Sequence, residues 1–151
     1  MTYLARYAHL KTLPAYKVGN KINNGNFIGI MGNTGKSTGP HLHFDLIQKE
    51  ISKMYRLADI PNYIFDLPKL MGQYNYFIDI ELFNWPVKIT TSFGDPTYDL
   101  PVWKFHPGFD LVPYNIRETL ISWNRSYQAT VHMIGTDPGY GNYIILKYKV
   151  V

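Results

Sequence analysis

Residues 29–44 read GIMGNTGKSTGPHLHF, a glycine-rich turn that leads directly into two closely spaced histidines. The glycines and Pro40 interrupt any helix, so the residues after the turn are expected to form a strand. Residues i and i+2 of a strand point to the same face, with Cα atoms roughly 6.6 Å apart. His41 and His43 can therefore converge on one metal site, since neutral imidazole is the commonest metal ligand.

The same stretch contains Gly35-Lys36-Ser37, which resembles the end of a phosphate-binding loop. That loop requires a glycine five residues before the second one, and Ile30 stands there. Pro40 also follows where the helix of such a loop would propagate. The sequence therefore does not favour nucleotide binding.

A second candidate site is His106-Pro107-Gly108-Phe109-Asp110. A straight strand would separate His106 and Asp110 by roughly 13 Å. Zinc ligands lie about 2.0–2.2 Å from the metal, so their donor atoms must come within a few ångströms of each other. The Pro-Gly step supplies a bend that could bring them together, although this segment alone favours a surface turn with an incidental histidine.

Two further histidines lie outside these motifs. His9 follows Tyr7 and Ala8, and alone it would be interpreted as a structural or solvated residue. His132 lies in an apolar, strand-like segment with no neighbouring motif, and we expect it to be structural.

Composition indicates one globular domain. Hydrophobic residues make up 46% of the 151 residues and charged residues 17%, which is typical of a chain with a core. Cysteine is absent, which excludes disulfides and thiolate zinc sites. The net charge of +4 suits an anionic partner, but no Lys/Arg cluster favours nucleic acid. No apolar run approaches the length of a membrane span, and the first residues do not resemble a signal peptide.

Short β-rich runs separated by Gly, Asn and Pro predict an all-β, mainly antiparallel fold. A segment from about 49 to 84 is different: residues 50–58 could form a short helix, and Pro61 and Pro68 interrupt the residues after it. We interpret it as a connecting segment. The predicted strands are residues 3–7, 27–31, 42–47, 76–82, 89–92, 128–134 and 143–148.

Taken together, these motifs resemble the lysostaphin-type M23 family of zinc metallopeptidases, which act on peptidoglycan. Residues 29–44 look like the C-terminal signature of that family, and residues 7–10, YAHL, match its histidine strand. Residues 106–110 look like its first ligand pair. Its N-terminal opening and its central strand are matched by residues 85–94 and 139–145, respectively. The resemblance covers residues 3–47 and 85–148.

The order of these motifs differs from that of the family, which runs opening, HxxxD, GYGN, YAHL, HLH. Here residues 1–48 carry the family's C-terminal half and residues 85–151 its N-terminal half, joined by residues 49–84. The simplest account is a circularly permuted single domain, with the new termini in a hairpin turn, where cutting is tolerated. A swapped homodimer, or a fragment spanning two incomplete tandem domains, are the alternatives.

The resemblance implies that His106, Asp110 and His43 ligate Zn²⁺, leaving a fourth position for water. It implies that His41 takes a proton from that water, and that His9 stabilises the oxyanion or relays the proton. It also implies a substrate groove. The candidates for its lining are Tyr98, Trp103, Trp123, Tyr140 and Asn142, each of which could instead serve packing.

The implied function is hydrolysis of peptide cross-links or cross-bridges in peptidoglycan. Without a signal peptide, delivery would depend on another route, such as a phage tail or cell lysis, and virion proteins would then be partners. The alternative is a catalytically inactive module that keeps the fold. Three departures from the family pattern put substrate preference in doubt: Asp95-Pro96 in the opening, Tyr148 at the end of the central strand, and a long loop at 116–127. None of them involves an expected ligand.

Overall fold

The computed structural model describes residues 2–48, 87–91, 108–115 and 119–149. These residues form strands, turns and loops and contain no helix, which confirms the predicted all-β fold. In this part of the chain, no helix is long and apolar enough to cross a membrane. The strands are β1 Thr2–Leu10, β2 Lys21–Ile22, β3 Asn26–Ile30, β4 Leu42–Gln48, β5 Val87–Thr91, β6 Phe109–Pro113, β7 Leu120–Trp123, β8 Ala129–Asp137 and β9 Gly141–Lys149.

Two sheets make up the fold. The larger has the strand order β2-β8-β9-β1-β4-β6-β5, and its pairings are antiparallel. The smaller pairs β3 with β7. β1 lies between β9 and β4, and most of its side chains are buried.

The core lies where the two sheets meet. Tyr7 is fully buried, and its ring meets that of Phe44 edge-on at 5.3 Å. Trp123 from β7 is also fully buried and contacts Tyr148 of β9 with ring centroids 5.1 Å apart. Aromatic pairs in these orientations stabilise the core beyond the area that they bury, so these four rings serve packing. The buried cluster also contains Leu10, Ile22, Ile28, Leu42, Leu111, Ile121, Ile144 and Leu146.

Strand register aligns one row of residues across three neighbouring strands. Ala8 of β1 is paired with His43 of β4, and His43 is paired with Asp110 of β6. Directly opposed residues point to the same face of a sheet. The row therefore carries a small residue, an imidazole and a carboxylate side by side on one face, while Tyr7 and Phe44 occupy the opposite, core-facing side.

Six of the predicted strands are confirmed to within a few residues, as β1, β3, β4, β5, β8 and β9. Three strands were not predicted. β2 has only two residues, β6 follows the Pro-Gly step that suggested a turn, and β7 lies in a segment that looked like a loop. The predicted strand at 76–82 and helix at 50–58 lie outside the described residues.

The two ends of the described chain are neighbours. β1 pairs antiparallel with β9, and Thr2 lies opposite Lys149. Strands from residues 2–48 and from residues 87–149 thus share one sheet within a single chain.

Gly141, at the start of β9, is predicted to tolerate no side chain. Its φ is +63°, and a Cβ there would overlap the backbone of Thr34. Gly25 has φ +82° and no atom lies within 4 Å of the position that a Cβ would take, so Gly25→Ala measures only the free-energy cost of placing a side chain on left-handed backbone. We expect Gly25→Ala to cost about 1 kcal/mol and Gly141→Ala about 3 kcal/mol of unfolding free energy in urea titrations. Equal losses of unfolding free energy in the two variants would contradict the close approach of Gly141 to Thr34.

Candidate active site

His43 lies at the centre of a polar cluster on the face defined by the row of three paired residues. Its side chain is buried, with 2% exposed. Its Nδ1 lies 3.1 Å from Asp110 Oδ1, and its Nε2 lies 3.0 Å from Asp45 Oδ2. Burial alone would lower the pKa of His43, but hydrogen bonds and charge from Asp110 and Asp45 raise it above its ordinary value.

A neutral imidazole has only one N–H, so it cannot donate to both carboxylates. When Nε2–H donates to Asp45, Nδ1 and Asp110 Oδ1 face each other as two acceptors 3.1 Å apart. Such a pair is stable only with a cation, either a proton or a metal ion, between the two atoms. Nitrogen and carboxylate oxygen at this separation suit two ligands of one Zn²⁺.

His41 lies beside this pair. Its Nδ1 is 2.8 Å from Gly39 O and 3.1 Å from Ser37 Oγ, while its Nε2 is 3.5 Å from Asp110 Oδ1. Because Gly39 O can only accept, Nδ1 carries the hydrogen and Nε2 presents its lone pair toward Asp110. Burial lowers the pKa of His41, but the contacts with Asp110 and Gly39 outweigh it and raise the pKa above its ordinary value.

His9 reaches the same cluster through an irregularity in β1. Strand alternation would place its side chain on the core side with Tyr7. The register of β1 and β9 shifts between Tyr7 and Leu10, and His9 has a φ of +60°, which is uncommon for a residue with a side chain. Its ring is consequently 4.6 Å from that of His41 and 6.0 Å from that of His43.

The protonation of His9 is set by its surroundings. Its Nδ1–H donates to Thr34 O at 2.7 Å, so Nε2 is the atom left without hydrogen. Desolvation by burial lowers its pKa to about 4, with smaller contributions from His41 and His43, and the bond to Thr34 opposes the shift only in part. His9 is therefore neutral at physiological pH.

Thr34 and Asn142 hold the irregular segment in place. Thr34 Oγ1 donates to Leu10 O and accepts from Asn142 N. The side-chain amide of Asn142 donates to Leu10 O and, more weakly, to Lys11 O. These contacts satisfy backbone groups that the β1–β9 ladder leaves unpaired at the shift, and they keep His9 in its unusual conformation.

Gly108 packs directly over the site. A Cβ on it would overlap Phe44 O and would lie 2.9 Å from Asp45 Cβ and 3.0 Å from the Cε1 of His43. The glycine of the His-Pro-Gly-Phe-Asp motif thus allows the chain before β6 to cross close above the His43 ring.

Comparison with known proteins finds similarity at the start of the chain. Residues 1–54 match the sequence model of Peptidase family M23. The chain is 45% identical over 60 residues to the peptidoglycan DD-endopeptidase ShyA of Vibrio cholerae and 38% identical over 60 residues to ShyC of the same species. It is 47% identical over 45 residues to an uncharacterized metalloprotease of Buchnera aphidicola.

Residues 1–54 are therefore similar to Peptidase family M23. The matches to ShyA and ShyC each cover 40% of this chain and 14% of the relative, and that to the Buchnera protein covers 30% and 12%. The chain therefore spans only a small part of the curated relatives it matches. No solved structure matches it. The resemblance inferred from residues 29–44 and 7–10 is confirmed, since these residues lie within the matched region.

The structure brings four of the expected M23 site residues together: His9, His41, His43 and Asp110. The other expected ligand, His106, lies outside the described residues. Among residues 2–48, 87–91, 108–115 and 119–149, no set of three His, Asp or Glu side chains is placed to hold a metal ion. Within that part, His43 and Asp110 are the two expected ligands that lie side by side, with Nδ1 and Oδ1 3.1 Å apart.

The expected groove residues have different positions. Tyr98 and Trp103 lie outside the described residues. Trp123 is fully buried in the core with its indole N–H bonded to Tyr127 O, which corrects its expected place in the groove. The side-chain amide of Asn142 donates to the backbone carbonyls of Leu10 and Lys11. Tyr140 does border the site, with its ring 5.6 Å from that of His43.

Sequence reasoning missed three residues that shape the site: Thr34, Asp45 and Arg6. Asp45 follows His43 by two residues, so strand alternation could have placed both on one face. The contribution of Arg6 can be recognised only from the β1–β4 register, which places Arg6 opposite Asp45.

The different environments of the histidines predict separated titrations. In protein stripped of metal by a chelator, the His9 ring should remain neutral until pH falls to about 4, because burial opposes its charge. His41 should protonate above its ordinary pKa because Asp110 lies beside it. Histidine ring resonances followed by NMR against pH measure both values. Midpoints that coincide near 6.5, the ordinary pKa of histidine, would show that the cluster does not form.

Proposed function

We propose that this chain is a zinc-dependent endopeptidase that hydrolyses peptide cross-links of bacterial peptidoglycan. The observation that carries this proposal is the convergence of His9, His41, His43 and Asp110 on one face of the sheet. The M23 match and the similarity to two relatives named peptidoglycan DD-endopeptidases support it.

The residues present fit a catalytic zinc. His43 Nδ1 and Asp110 Oδ1 supply two donors, and His106 is proposed as the third. Bound there, zinc would polarise the scissile carbonyl and lower the pKa of its water to about 7. Two imidazoles and one carboxylate are typical of catalytic rather than structural zinc.

His41 is proposed as the general base. Its Nδ1–H is held by Gly39 O, so Nε2 can accept a proton at a point 3.5 Å from Asp110 Oδ1. A neutral histidine in this tautomer can take a proton near neutral pH.

His9 is proposed to relay a proton rather than to donate to an oxyanion. Because Nδ1–H is committed to Thr34 O, Nε2 has no hydrogen to offer until it receives one. Its lowered pKa would then make it a strong acid toward a leaving amine.

The substrate groove is proposed to run past Tyr140, which borders His43. The net charge of +4 is compatible with an anionic wall. The cell wall is thus the proposed place of action.

We also propose that residues 1–48 and 85–151 form one circularly permuted domain. Its support is the pairing of β1 with β9 and the entry of His43 and Asp110 into one site from the two segments. In the family order, a tight turn would connect β9 to β1.

Substitutions of His43 and His41 distinguish a zinc ligand from a general base. His43→Ala should lose zinc and activity together, since it removes a ligand. His41→Ala should keep zinc while turnover falls at least about 100-fold, the usual contribution of a general base. Zinc content by mass spectrometry and release of peptides from purified peptidoglycan measure both. Val18→Ala, at a side chain that is 68% exposed, serves as the control. Equal zinc loss in both histidine variants would refute these roles.

Rejoining the chain tests the permutation. A variant that begins at residue 85, continues from Val151 through a short turn into Met1 and ends at residue 48 should fold, because Thr2 already lies opposite Lys149. Circular dichroism and zinc content would be compared with those of the natural order. An unfolded product that binds no zinc would argue against a single permuted domain.

A further inference from the structure

Asp45 is a buried carboxylate that the proposed reaction does not use. Only 5% of it is exposed, and it follows His43 by two residues on β4, on the same face of the sheet. Its Oδ2 lies 3.0 Å from His43 Nε2, on the side of the ring opposite Asp110. A buried charge of this kind is costly unless it is paired.

Arg6 supplies a charge for that pairing. It lies directly opposite Asp45 in the β1–β4 register, with Nε 3.6 Å from Asp45 Oδ2. The Arg6 guanidinium also lies over the Tyr140 ring, 4.2 Å from its centroid, and that ring borders His43. Tyr140, Arg6 and Asp45 therefore form a contiguous support behind the His43 ring.

From this geometry we infer that Asp45, held by Arg6, is a positioning residue that fixes the orientation and hydrogen placement of His43. It accepts the Nε2–H, so the Nδ1 lone pair points toward Asp110, where the metal of the proposed function would bind. A carboxylate behind a metal-binding histidine fixes the tautomer, orients the ring and raises its basicity. This inference rests on the proposed zinc site.

The register explains why the support is built here. The same face of β1 presents Ala8 to His43 and Arg6 to Asp45, two residues apart. Ala8 is small enough to leave the imidazole its space, and it is fully buried. On β1, the small side chain of Ala8 thus makes room for the His43 ring, and the charge of Arg6 balances the Asp45 carboxylate.

Zinc affinity measured by chelator competition tests the inference. Asp45→Ala should weaken zinc binding about 100-fold and Asp45→Asn about 10-fold, the range for removal of such a partner. Asp45→Glu should restore part of the loss. The His43 Nε2–H resonance of the zinc-loaded protein should be protected from exchange in the wild type and lose that protection in Asp45→Ala.

A control variant distinguishes a loss of zinc affinity caused by a misplaced His43 ring from one caused by general destabilisation of the fold. Ser122→Ala changes a buried side chain in the other sheet, so zinc affinity should stay unchanged whatever its effect on the melting temperature. Arg6→Gln should weaken zinc binding a few-fold, and the Arg6→Gln/Asp45→Ala double variant should bind no more weakly than Asp45→Ala, because Arg6 acts through Asp45.

Folded Asp45→Ala or Asp45→Asn protein with zinc affinity within about two-fold of the wild type would overturn the inference, since loss of such a partner costs at least about 10-fold. Should Asp45→Ala fail to fold, the isosteric Asp45→Asn decides the question by the same criterion. Wild-type protein that binds zinc but cleaves no peptidoglycan would contradict the proposed substrate and leave the role of Asp45 standing. Wild-type protein without zinc affinity would contradict both.

Discussion

The close approach of His43 and Asp110 is the contact on which the rest of the site depends. It exists because β4 and β6 pair in the register that sets these two residues opposite each other. A one-residue slip would turn one of the two side chains to the other face of the sheet. The aromatic core on the opposite face, including Tyr7 and Phe44, opposes such a slip because it would expose large apolar rings. Packing of the core thereby fixes the geometry of the polar face.

The second constraint is the interruption of β1 at His9. A regular strand would bury this side chain among core residues, whereas the register shift and the positive φ direct it to the polar face. Strained backbone of this kind persists only when its surroundings hold it. Thr34 and Asn142 do so through hydrogen bonds to Leu10 and to each other. The glycine-rich turn before β4 thus serves the site twice, by positioning His41 and by fixing His9.

Sequence patterns predicted much of this fold and part of the site. Alternation and turn residues located six strands, and the spacing of His41 and His43 correctly indicated that both would share a face. β6 was missed because Pro107-Gly108 indicated a turn, and the strand begins only at Phe109. The role of Trp123 was misjudged because an aromatic residue in an apparent loop gives no sign of the sheet partner that buries it. The Asp45–Arg6 pair depends on cross-strand register, which one chain segment does not reveal.

A crystal structure of the zinc-soaked protein, with the metal located by anomalous scattering, tests the central claim most directly. The account predicts one zinc ion per site, bound by His43 Nδ1 and Asp110 of the same chain, with His106 as the third protein ligand and Asp45 at Nε2 of His43. Zinc bound elsewhere, or a His43 ring turned away from Asp110, would contradict it.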